Sequence, residues 1–293
     1  MPGAARDSSA EAPAGVIVDF NVGRILADAV RSLLDDGIGE LVVVENGRPG
    51  STAAALGSLA DDVRIVPTGR NLGFGAGVNR GVAALRGDAA VIVVANPDTV
   101  AHPGVVTALA DGLRVHEDWA IVGPTIVTPE GVLYPSVRSF PRPADAVGHA
   151  LLGLVSTKNR FTERYRSGTR PDGGVDWVSG AFFAVRRPVF ESLGGFDEGY
   201  FMFAEDMDLC WRGHEAGWGV GAIPTAMVSH VEGVARRAHP YKMLRAHHRS
   251  ALRFANRTTK GPTRLLLPVA AVVLGFRLAG AMLLTALKAR PQT

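Results

Sequence analysis

A scarcity of cysteine is the first informative feature of this 293-residue sequence, which contains only Cys210. A single thiol excludes an intramolecular disulfide and any zinc site built from several cysteines. Residues 1–14 also lack the apolar run of a secretory signal, and their Ala, Pro, Ser and Gly content predicts a disordered lead. These features favour a protein of the reducing cytoplasm.

Acidic residues are missing from the last part of the chain. Residues 233–293 contain twelve Lys and Arg but no Asp or Glu, a formal charge of +12, whereas the preceding residues carry 19 basic and 28 acidic side chains, or −9. Such a basic segment can contact nucleic acid, an anionic membrane surface or a diphosphate-bearing substrate. Because the tail lacks interleaved stacking aromatics, we expect no nucleic-acid partner.

The apolar part of this basic tail predicts contact with a membrane. Residues 265–287 form an apolar segment that Arg277 interrupts and that Arg264 and Lys288 flank. A helix that spans the membrane remains an alternative, because the free energy gained by moving its Leu, Val and Phe side chains into lipid can outweigh the cost of inserting one arginine. A helix buried against the rest of the protein is a further alternative. The basic residues add attraction to anionic lipid, so we predict that residues 234–293 dock peripherally on the cytoplasmic face of the cell membrane.

The first half of the chain alternates short apolar runs with segments of helix length. Strands are predicted at residues 16–20, 41–44, 63–66 and 91–95, and helices at 25–34, 77–85 and 105–115. This alternation predicts an α/β fold, with a Rossmann-like, mostly parallel sheet covered by helices on both faces. Ligands of such sheets bind at the carboxyl ends of the strands, and several polar motifs directly follow the apolar runs.

The second half of the chain is less regular. Residues 135–174 follow no clear period apart from one short apolar helix predicted at residues 149–155, and we predict that they form an insertion on the acceptor side of the site, with a flexible loop as the alternative. A strand at 180–185, a helix at 205–216 and a strand at 226–229 complete a domain that we predict to extend over residues 15–233.

An Asn-Pro-Asp sequence ends at Asp98, directly after a predicted strand. Proline cannot donate to a strand ladder, so pairing is expected to stop at Pro97. Mg²⁺ or Mn²⁺ is typically held by one or two carboxylates together with substrate phosphate oxygens, so Asp98 is a candidate metal ligand, with an ordinary turn as the alternative. His230 follows a short apolar run and can complete the metal shell or serve the structure. His247 and His248 lie in the basic tail and are assigned to the surface.

A glycine run over residues 70–81 includes Gly73, Gly75 and Gly77, between a predicted strand and a predicted helix. Backbone amides in such a run can approach a phosphate or a ribose closely. A dinucleotide fingerprint would follow the first strand, whereas this run follows the third. A dinucleotide-dependent oxidoreductase is therefore an alternative that leaves the Asn-Pro-Asp sequence without a role. A tight helix entry is a second alternative.

Residues 194–209 combine a glycine turn, an aromatic patch and several carboxylates. Aromatic rings offer a platform for the apolar face of a sugar, and a carboxylate at a helix start can act as a general base. Asp208 is predicted to pair with Arg212 one helical turn later, and Glu205 can cap the helix. Asp206 has no such partner in the sequence, which makes it the candidate base.

Several short motifs follow one another along the chain. They are Asp19-Phe20-Asn21, Val44-Glu45-Asn46-Gly47, Arg70-Asn71-Leu72-Gly73-Phe74, Asn96-Pro97-Asp98, Trp177-Val178-Ser179-Gly180-Ala181, Gly194-Gly195-Phe196-Asp197-Glu198 and Glu205-Asp206. Their order resembles the inverting GT-A fold glycosyltransferases of family 2, over residues 16 to about 233. Two positions depart from the usual family pattern, which has Thr in place of Asp19 and Asp in place of Glu45.

The resemblance implies metal-dependent transfer of a sugar from a nucleotide donor, with Mg²⁺ or Mn²⁺ as the cofactor. It makes Asp206 the catalytic base, Asp98 a ligand of the metal and the diphosphate with His230 beside it, and Glu45 a contact to the pyrimidine base. The implied nucleotide-sugar site consists of Phe20, Asn21, Glu45, Asn46, Arg70, Asn71, Asn79, Asn96 and Asp98. The implied acceptor and sugar site consists of Trp177, Ser179, Gly180 and Glu205.

Two further motifs resemble the rhamnosyltransferases of this family. They are Tyr134-Pro135-Ser136 followed by Arg138, and Tyr200-Phe201-Met202 ahead of Glu205-Asp206. This resemblance implies dTDP-L-rhamnose as the donor and a polyprenyl-diphosphate-linked N-acetylglucosamine of cell-wall synthesis as the acceptor. A family 2 transferase with another donor sugar or acceptor is the alternative.

Overall fold

The strands and helices are described here from a computed structural model, for residues 12–140, 174–231 and 240–288. The strands are β1 (Ala14–Asp19), β2 (Glu40–Glu45), β3 (Arg64–Pro67), β4 (Val91–Ala95), β5 (Thr99–Ala101), β6 (Trp119–Val127), β7 (Leu133–Tyr134), β8 (Val137–Arg138), β9 (Trp177–Val178), β10 (Phe182–Arg186) and β11 (Gly219–His230). The helices are α1 (Ile25–Asp35), α2 (Ser51–Leu56), α3 (Phe74–Val82), α4 (Val105–Val115), α5 (Arg187–Ser192), α6 (Glu205–Glu215), α7 (Pro240–Thr258) and α8 (Leu267–Lys288). The predicted lead at 1–14 is described only from residue 12, and it ends earlier than predicted because Ala14 already belongs to β1 and is buried. Of the predicted insertion at 135–174, only residues 135–140, which include β8, and residue 174 are described, so the predicted helix at 149–155 lies outside the described residues.

The main sheet has the strand order β3-β2-β1-β4-β10-β6-β11-β5, with β7 paired to β6. Strands β1 to β4, β6 and β11 run in one direction, whereas β5, β7 and β10 run against it. The mostly parallel sheet predicted from the sequence is therefore confirmed. Because β10 is antiparallel to β4, the residues just before β10 lie beside the residues just after β4.

Helices cover both faces of the sheet, as the sequence pattern predicted. Successive side chains of a strand point to opposite faces, so β1 contributes Ile17 to one core and Val16 to the other. Helices α1 and α4 bury Leu33 and Leu109 in the same core as Ile17. Helix α3 buries Val78 in the core that contains Val16. This layering leaves the carboxyl ends of the parallel strands along one edge of the sheet.

The glycine run belongs mainly to α3, which begins at Phe74 rather than at residue 77. A Cβ on Gly77 would lie 2.8 Å from Val18 Cγ1, and one on Gly81 would lie 2.4 Å from Val16 Cγ1. Glycine at these positions therefore lets the helix pack directly on β1. The boundary in the sequence prediction was wrong because the glycines serve helix packing as well as the loop.

Strand β11 begins at Gly219, well before the strand predicted at residues 226–229. It pairs in parallel with β6, and a register shift lies between Ile223 and Met227. Because the middle of β11 is irregular, the alternation of apolar and polar residues does not indicate the first half of the strand. The bounds of β4 and α4, by contrast, are those predicted.

Helix α7 packs against the α/β domain, where Met243, Ala246 and Phe254 are buried. His248 is buried as well, with Nδ1 2.8 Å from the Leu244 carbonyl oxygen, so its assignment to the surface is wrong. His247 is exposed, and its ring meets the half-buried ring of Phe203 edge-on at 5.5 Å between centroids.

Helix α8 has a different environment. It forms most of Gly261–Leu287, the stretch of the described chain that is long and apolar enough to cross a membrane by length and composition. Its exposed large apolar side chains, with those of the preceding 3-10 turn, are Leu265, Leu266, Val269, Val272, Phe276, Leu283, Leu284 and Leu287. The alternative of a helix buried against the rest of the protein is therefore not the arrangement in the structure.

Candidate functional site

The carboxyl edge of the sheet brings Asp98 and His230 together. Strand β4 ends at Ala95 as the following proline predicted, and the chain turns into β5, which pairs with the end of β11. The Val231 N–H donates to the Asp98 carbonyl at 2.9 Å, and His230 Nε2 lies 3.2 Å from Asp98 Oδ1. Both side chains are buried, and the Tyr134 ring stands edge-on to the imidazole.

This pair fits a shared divalent cation. Neighbouring ligands of an octahedral ion held at about 2.1 Å lie about 3 Å apart, close to the separation between Asp98 Oδ1 and His230 Nε2. Within the described ranges, no group of three or more His, Cys, Asp or Glu side chains could hold a metal. The remaining ligands would therefore be diphosphate oxygens and water, the usual arrangement for Mg²⁺ at phosphate sites.

Asp206 lies in the first turn of α6 and is held by backbone amides. Its Oδ2 accepts a 2.8 Å hydrogen bond from the Gly180 N–H, and its Oδ1 accepts one from the Met207 N–H. A Cβ on Gly180 would lie 3.2 Å from Asp206 Cβ, so glycine permits this close approach. The Asn96 N–H donates to the Ala181 carbonyl at 2.8 Å, which links the Asp206 side of the site to the segment that carries Asp98.

Glu205 and Asp206 differ in their surroundings. Glu205 is 5% exposed, and its Oε2 has no hydrogen-bond partner among the described residues. Burial, reinforced by the charge of Asp206, raises the pKa of Glu205 to about 8. Burial also raises the pKa of Asp206, but the Gly180 and Met207 amides and the positive charge of Arg138 oppose that shift. At neutral pH, Glu205 is therefore the member of the pair that holds the proton, and Asp206 is the candidate base.

The chain enters α6 through two strained residues. Phe203 and Ala204 have φ values of 69° and 62°, in the left-handed region that side chains other than glycine seldom adopt. Such conformations cost roughly 1–3 kcal/mol each and persist when the surroundings hold them. The turn directs the start of α6, with Glu205 and Asp206, toward the segment around Gly180.

Arg138 is a charged residue of the site to which the sequence prediction gave no role. Its guanidinium lies 5.2 Å from the Trp177 ring and 5.8 Å from the Tyr134 ring, and Nε donates to the Pro135 carbonyl at 2.9 Å. Its position in the Tyr134-Pro135-Ser136 motif was the only sequence signal. Trp177 is buried, its Nε1 donates to the Ser139 carbonyl, and its ring packs beside the Arg138 guanidinium. A contact between Trp177 and a sugar stays a prediction.

Glu45 and Asp19 end two neighbouring strands, and both are buried. Glu45 accepts hydrogen bonds from the Gly50 and Thr52 N–H groups at 3.0 and 3.1 Å. Asp19 accepts one from the Thr52 hydroxyl at 2.7 Å and one from the Val22 N–H. The two unusual carboxylates thus hold the loop that follows β2. The predicted contact of Glu45 to a pyrimidine base is a further role that stays a prediction.

Asparagines predicted to line the nucleotide pocket brace its loops. Asn46 Nδ2 donates to the Gly73 carbonyl at 3.0 Å, and its Oδ1 accepts from the Leu72 N–H at 2.9 Å. Asn71 Oδ1 accepts from the Gly73 N–H. Asn21, at φ 55°, accepts from the Arg48 N–H at 2.9 Å. These bonds connect the loops that follow β1, β2 and β3, and a contact of the three asparagines to a nucleotide stays a prediction.

The other predicted site residues have separate positions. Asn79 Oδ1 accepts from the Phe196 N–H at 2.8 Å, and its Nδ2 donates to the Phe196 carbonyl at 2.9 Å. Ser179 is buried next to Gly180, its N–H donating to the Ser136 carbonyl. Phe20 and Asn96 are half-buried at the sheet edge, and Arg70 is exposed on the loop after β3.

An α/β sheet with a carboxylate–imidazole pair and an amide-held carboxylate at the same edge is suited to transferring a group from a diphosphate donor. The chain belongs to glycosyltransferase family 2, because the family model described as "Glycosyltransferase like family 2" matches residues 14–253. The protein is a glycosyltransferase, and the oxidoreductase and nucleic-acid-binding alternatives are set aside. The match also extends past residue 233 into α7.

Two relatives are similar in sequence. The N-acetylglucosaminyl-diphospho-decaprenol L-rhamnosyltransferase of Mycobacterium tuberculosis is 38% identical over 228 residues, which cover 73% of each chain. Rhamnosyltransferase WbbL of Escherichia coli is 36% identical over 122 residues, 42% of this chain and 44% of that relative.

A solved structure is similar in fold. It is the mannosyltransferase PcManGT from Pyrobaculum calidifontis in complex with GDP-Man and Mn²⁺, with a TM-score of 0.57 and 15% identity over 98% of this chain and 77% of that chain. The GT-A fold predicted from the sequence is thereby confirmed.

Proposed function

We propose that the protein transfers L-rhamnose from dTDP-L-rhamnose to a polyprenyl-diphosphate-linked N-acetylglucosamine in cell-wall synthesis, in the step that builds the arabinogalactan linker. The observation that carries the proposal is the 38% identity to the mycobacterial rhamnosyltransferase, which extends over most of both chains. The Tyr134 and Arg138 motif lies in the site beside Trp177, which supports the same reaction.

The reaction is a single displacement with inversion at the anomeric carbon. Asp206 removes the proton from an acceptor hydroxyl while that oxygen bonds to the anomeric carbon. The bond from this carbon to the diphosphate oxygen breaks, and its electron pair leaves with the nucleotide. Arg138, beside the base, favours the ionised form of Asp206. Glu205, holding its proton, stays neutral next to the base.

Asp98 and His230 would hold Mg²⁺ or Mn²⁺. Their 3.2 Å contact and their burial at the sheet edge support this assignment, as does the Mn²⁺ in the structurally similar mannosyltransferase. An ion held there would neutralise the charge that develops on the departing nucleoside diphosphate. A carboxylate with one imidazole leaves the other coordination positions for diphosphate oxygens.

A donor screen tests this function. Purified full-length protein is offered dTDP-L-rhamnose, UDP-glucose, UDP-N-acetylglucosamine and GDP-mannose with the lipid-linked acceptor, in Mn²⁺, Mg²⁺ or chelator. We expect dTDP-L-rhamnose to be used with a kcat/KM at least about tenfold above the other donors, because pocket contacts discriminate between sugars on this scale. Preference for another donor, or equal use of all of them, would contradict the assignment.

The tail is proposed to attach the enzyme to the cytoplasmic face of the membrane that carries its acceptor. The exposed apolar side chains of α8, such as Phe276 at 77% exposure, and the basic residues of α7 support a peripheral, interfacial location. Each Lys or Arg near an anionic surface adds about 1 kcal/mol of attraction. Spanning by the same helix is the alternative that its length and composition allow.

Membrane extraction separates the two arrangements. Membranes that contain the full-length protein are washed with high salt and then with alkaline carbonate. Release into the supernatant is expected, since an interfacial helix lacks the near-irreversible insertion of a spanning one. Retention after both washes would show that the helix spans the bilayer.

A further inference from the structure

Two arginines of α7, one helical turn apart, contact the segment that leads into α6, the helix that carries Asp206. Arg253 Nη2 lies 2.9 Å from both carboxylate oxygens of Asp197. Arg257 also pairs with Asp197, and its Nε lies 2.9 Å from Asp208 Oδ1. These four residues form what we call the α7 brace.

In the sequence, the two carboxylates of the α7 brace stand on either side of the segment that positions Asp206. Asp197 precedes the aromatic loop, by which we mean residues 200–203. Asp208 lies two residues after Asp206 in the first turn of α6. Asp208 is fully buried, and its second oxygen accepts a 2.8 Å hydrogen bond from Arg212 Nε, the pair that helical spacing predicted. The Tyr200 hydroxyl donates to Asp208 Oδ1 at 3.1 Å.

Helix α7 also contacts the middle of the loop. The Ser250 hydroxyl donates to the Met202 carbonyl at 2.9 Å, and Lys242 lies 4.4 Å from the centre of the Phe201 ring. A Cβ on Gly199 would lie 2.1 Å from Arg253 Cζ, so the guanidinium passes directly against the backbone there. These contacts adjoin the left-handed residues at 203 and 204, whose conformation the surroundings must impose.

The two arginines differ in the carboxylates they satisfy. The Arg253 side chain is 44% exposed and Asp197 is 17% exposed, an environment in which ion pairs contribute little to stability. Arg257 pairs with the fully buried Asp208 as well as with Asp197. Its removal therefore takes one of two arginine partners from a buried carboxylate and leaves Arg212 as the other. The larger effect is therefore expected at Arg257.

We propose that Arg257 and Arg253 are positioning residues for the transferase reaction, which hold the aromatic loop so that Asp206 stays against the Gly180 N–H. Helix α7 is then part of the catalytic unit, and the apolar part of the membrane-docking tail begins only after it. Two other arginines of α7 are exposed to solvent, Arg245 and Arg249. This inference rests on the proposed role of Asp206 as the base.

The test compares Arg257→Ala with Arg249→Ala in detergent-solubilised full-length enzyme, where membrane attraction does not contribute. Arg249 is an exposed arginine of the same helix, so its substitution changes the charge of α7 equally. We expect Arg257→Ala to lower kcat by about tenfold to 10²-fold, because a misplacement of about 1 Å costs this much, while the donor KM changes by less than about threefold. Arg249→Ala should match the wild type.

A pH profile and a conservative variant exclude a merely structural effect. The Gly180 N–H lowers the pKa of Asp206, so a shift of the loop that breaks this hydrogen bond should raise that pKa. The acid limb of the kcat profile should therefore move to higher pH in Arg257→Ala. Arg257→Lys should recover part of kcat, since lysine keeps the charge but not the forked geometry. An Arg257→Ala enzyme with wild-type kcat and acid limb would overturn the inference, even with a lower Tm. Failure of the wild type to transfer rhamnose would instead contradict the proposed function.

Discussion

Asp206→Asn is expected to lower turnover by about 10²- to 10⁴-fold, the usual contribution of a positioned general base. The substitution keeps the size of the side chain and a carbonyl oxygen for the Gly180 N–H, but it removes the proton acceptor. Donor KM should barely change, because the interaction is used in the transition state and not in ground-state binding. Steady-state kinetics with saturating acceptor measures both quantities.

Glu205→Gln is the matched control for this variant. At neutral pH the pKa of about 8 keeps Glu205 protonated, so a neutral amide is a close substitute, and turnover should change by less than about tenfold. Near-normal turnover in Asp206→Asn together with loss in Glu205→Gln would move the base to Glu205. No loss in either variant would contradict base catalysis by this pair.

The pH profile of the wild-type enzyme follows from the same geometry. The base must be ionised, and burial raises the pKa of Asp206 above the ordinary aspartate value of about 3.9. Turnover should therefore fall as pH decreases through that raised pKa. Because Glu205 still holds its proton in this range, Glu205→Gln should leave the acid limb in place.

Asp98→Ala is expected to lower kcat/KM for the donor by about 10²- to 10³-fold, the equivalent of several kcal/mol of charge stabilisation on the departing diphosphate. The variant leaves His230 as the remaining candidate ligand at this corner of the sheet. His230→Ala should have a smaller effect and should raise the concentration of Mn²⁺ needed for half-maximal rate. Titration of the metal against turnover measures both variants.

Asp118→Ala is the control for the loss of a carboxylate. Asp118 is exposed just before β6, at the opposite edge of the sheet, so its removal should leave turnover unchanged. Full activity of the wild-type enzyme in excess chelator would show that the Asp98 and His230 pair holds no required metal.

Much of the fold and the position of the site could be predicted from local sequence patterns. The apolar run of β4, stopped by Pro97, indicated both the strand and the strand end that Asp98 follows. The spacing of Asp208 and Arg212 predicted their ion pair, since side chains four residues apart share one face of a helix. Strand order brought Asp98 and His230 to the same edge, as expected for polar residues at the carboxyl ends of strands.

Other features depend on contacts between distant parts of the chain. Arg257 pairs with Asp197, 60 residues earlier in the chain, and with Asp208 of α6, and no local period indicates either contact. The hydrogen bonds between Asn79 and Phe196 join residues 117 positions apart, and the nucleotide contact predicted for Asn79 stays a prediction. The basic residues of α7 suggested a membrane segment, because composition does not distinguish arginines that face lipid from arginines that pair with buried carboxylates.

The central claim is that Asp206 activates the acceptor for a single displacement, and the anomeric configuration of the product tests this claim most directly. The configuration of the rhamnosyl linkage can be read from the one-bond C1–H1 coupling in the NMR spectrum of the product made from dTDP-L-rhamnose. We expect a configuration inverted relative to that of the donor. A retained configuration would require a second displacement or a different nucleophile, and it would contradict the proposed role of Asp206.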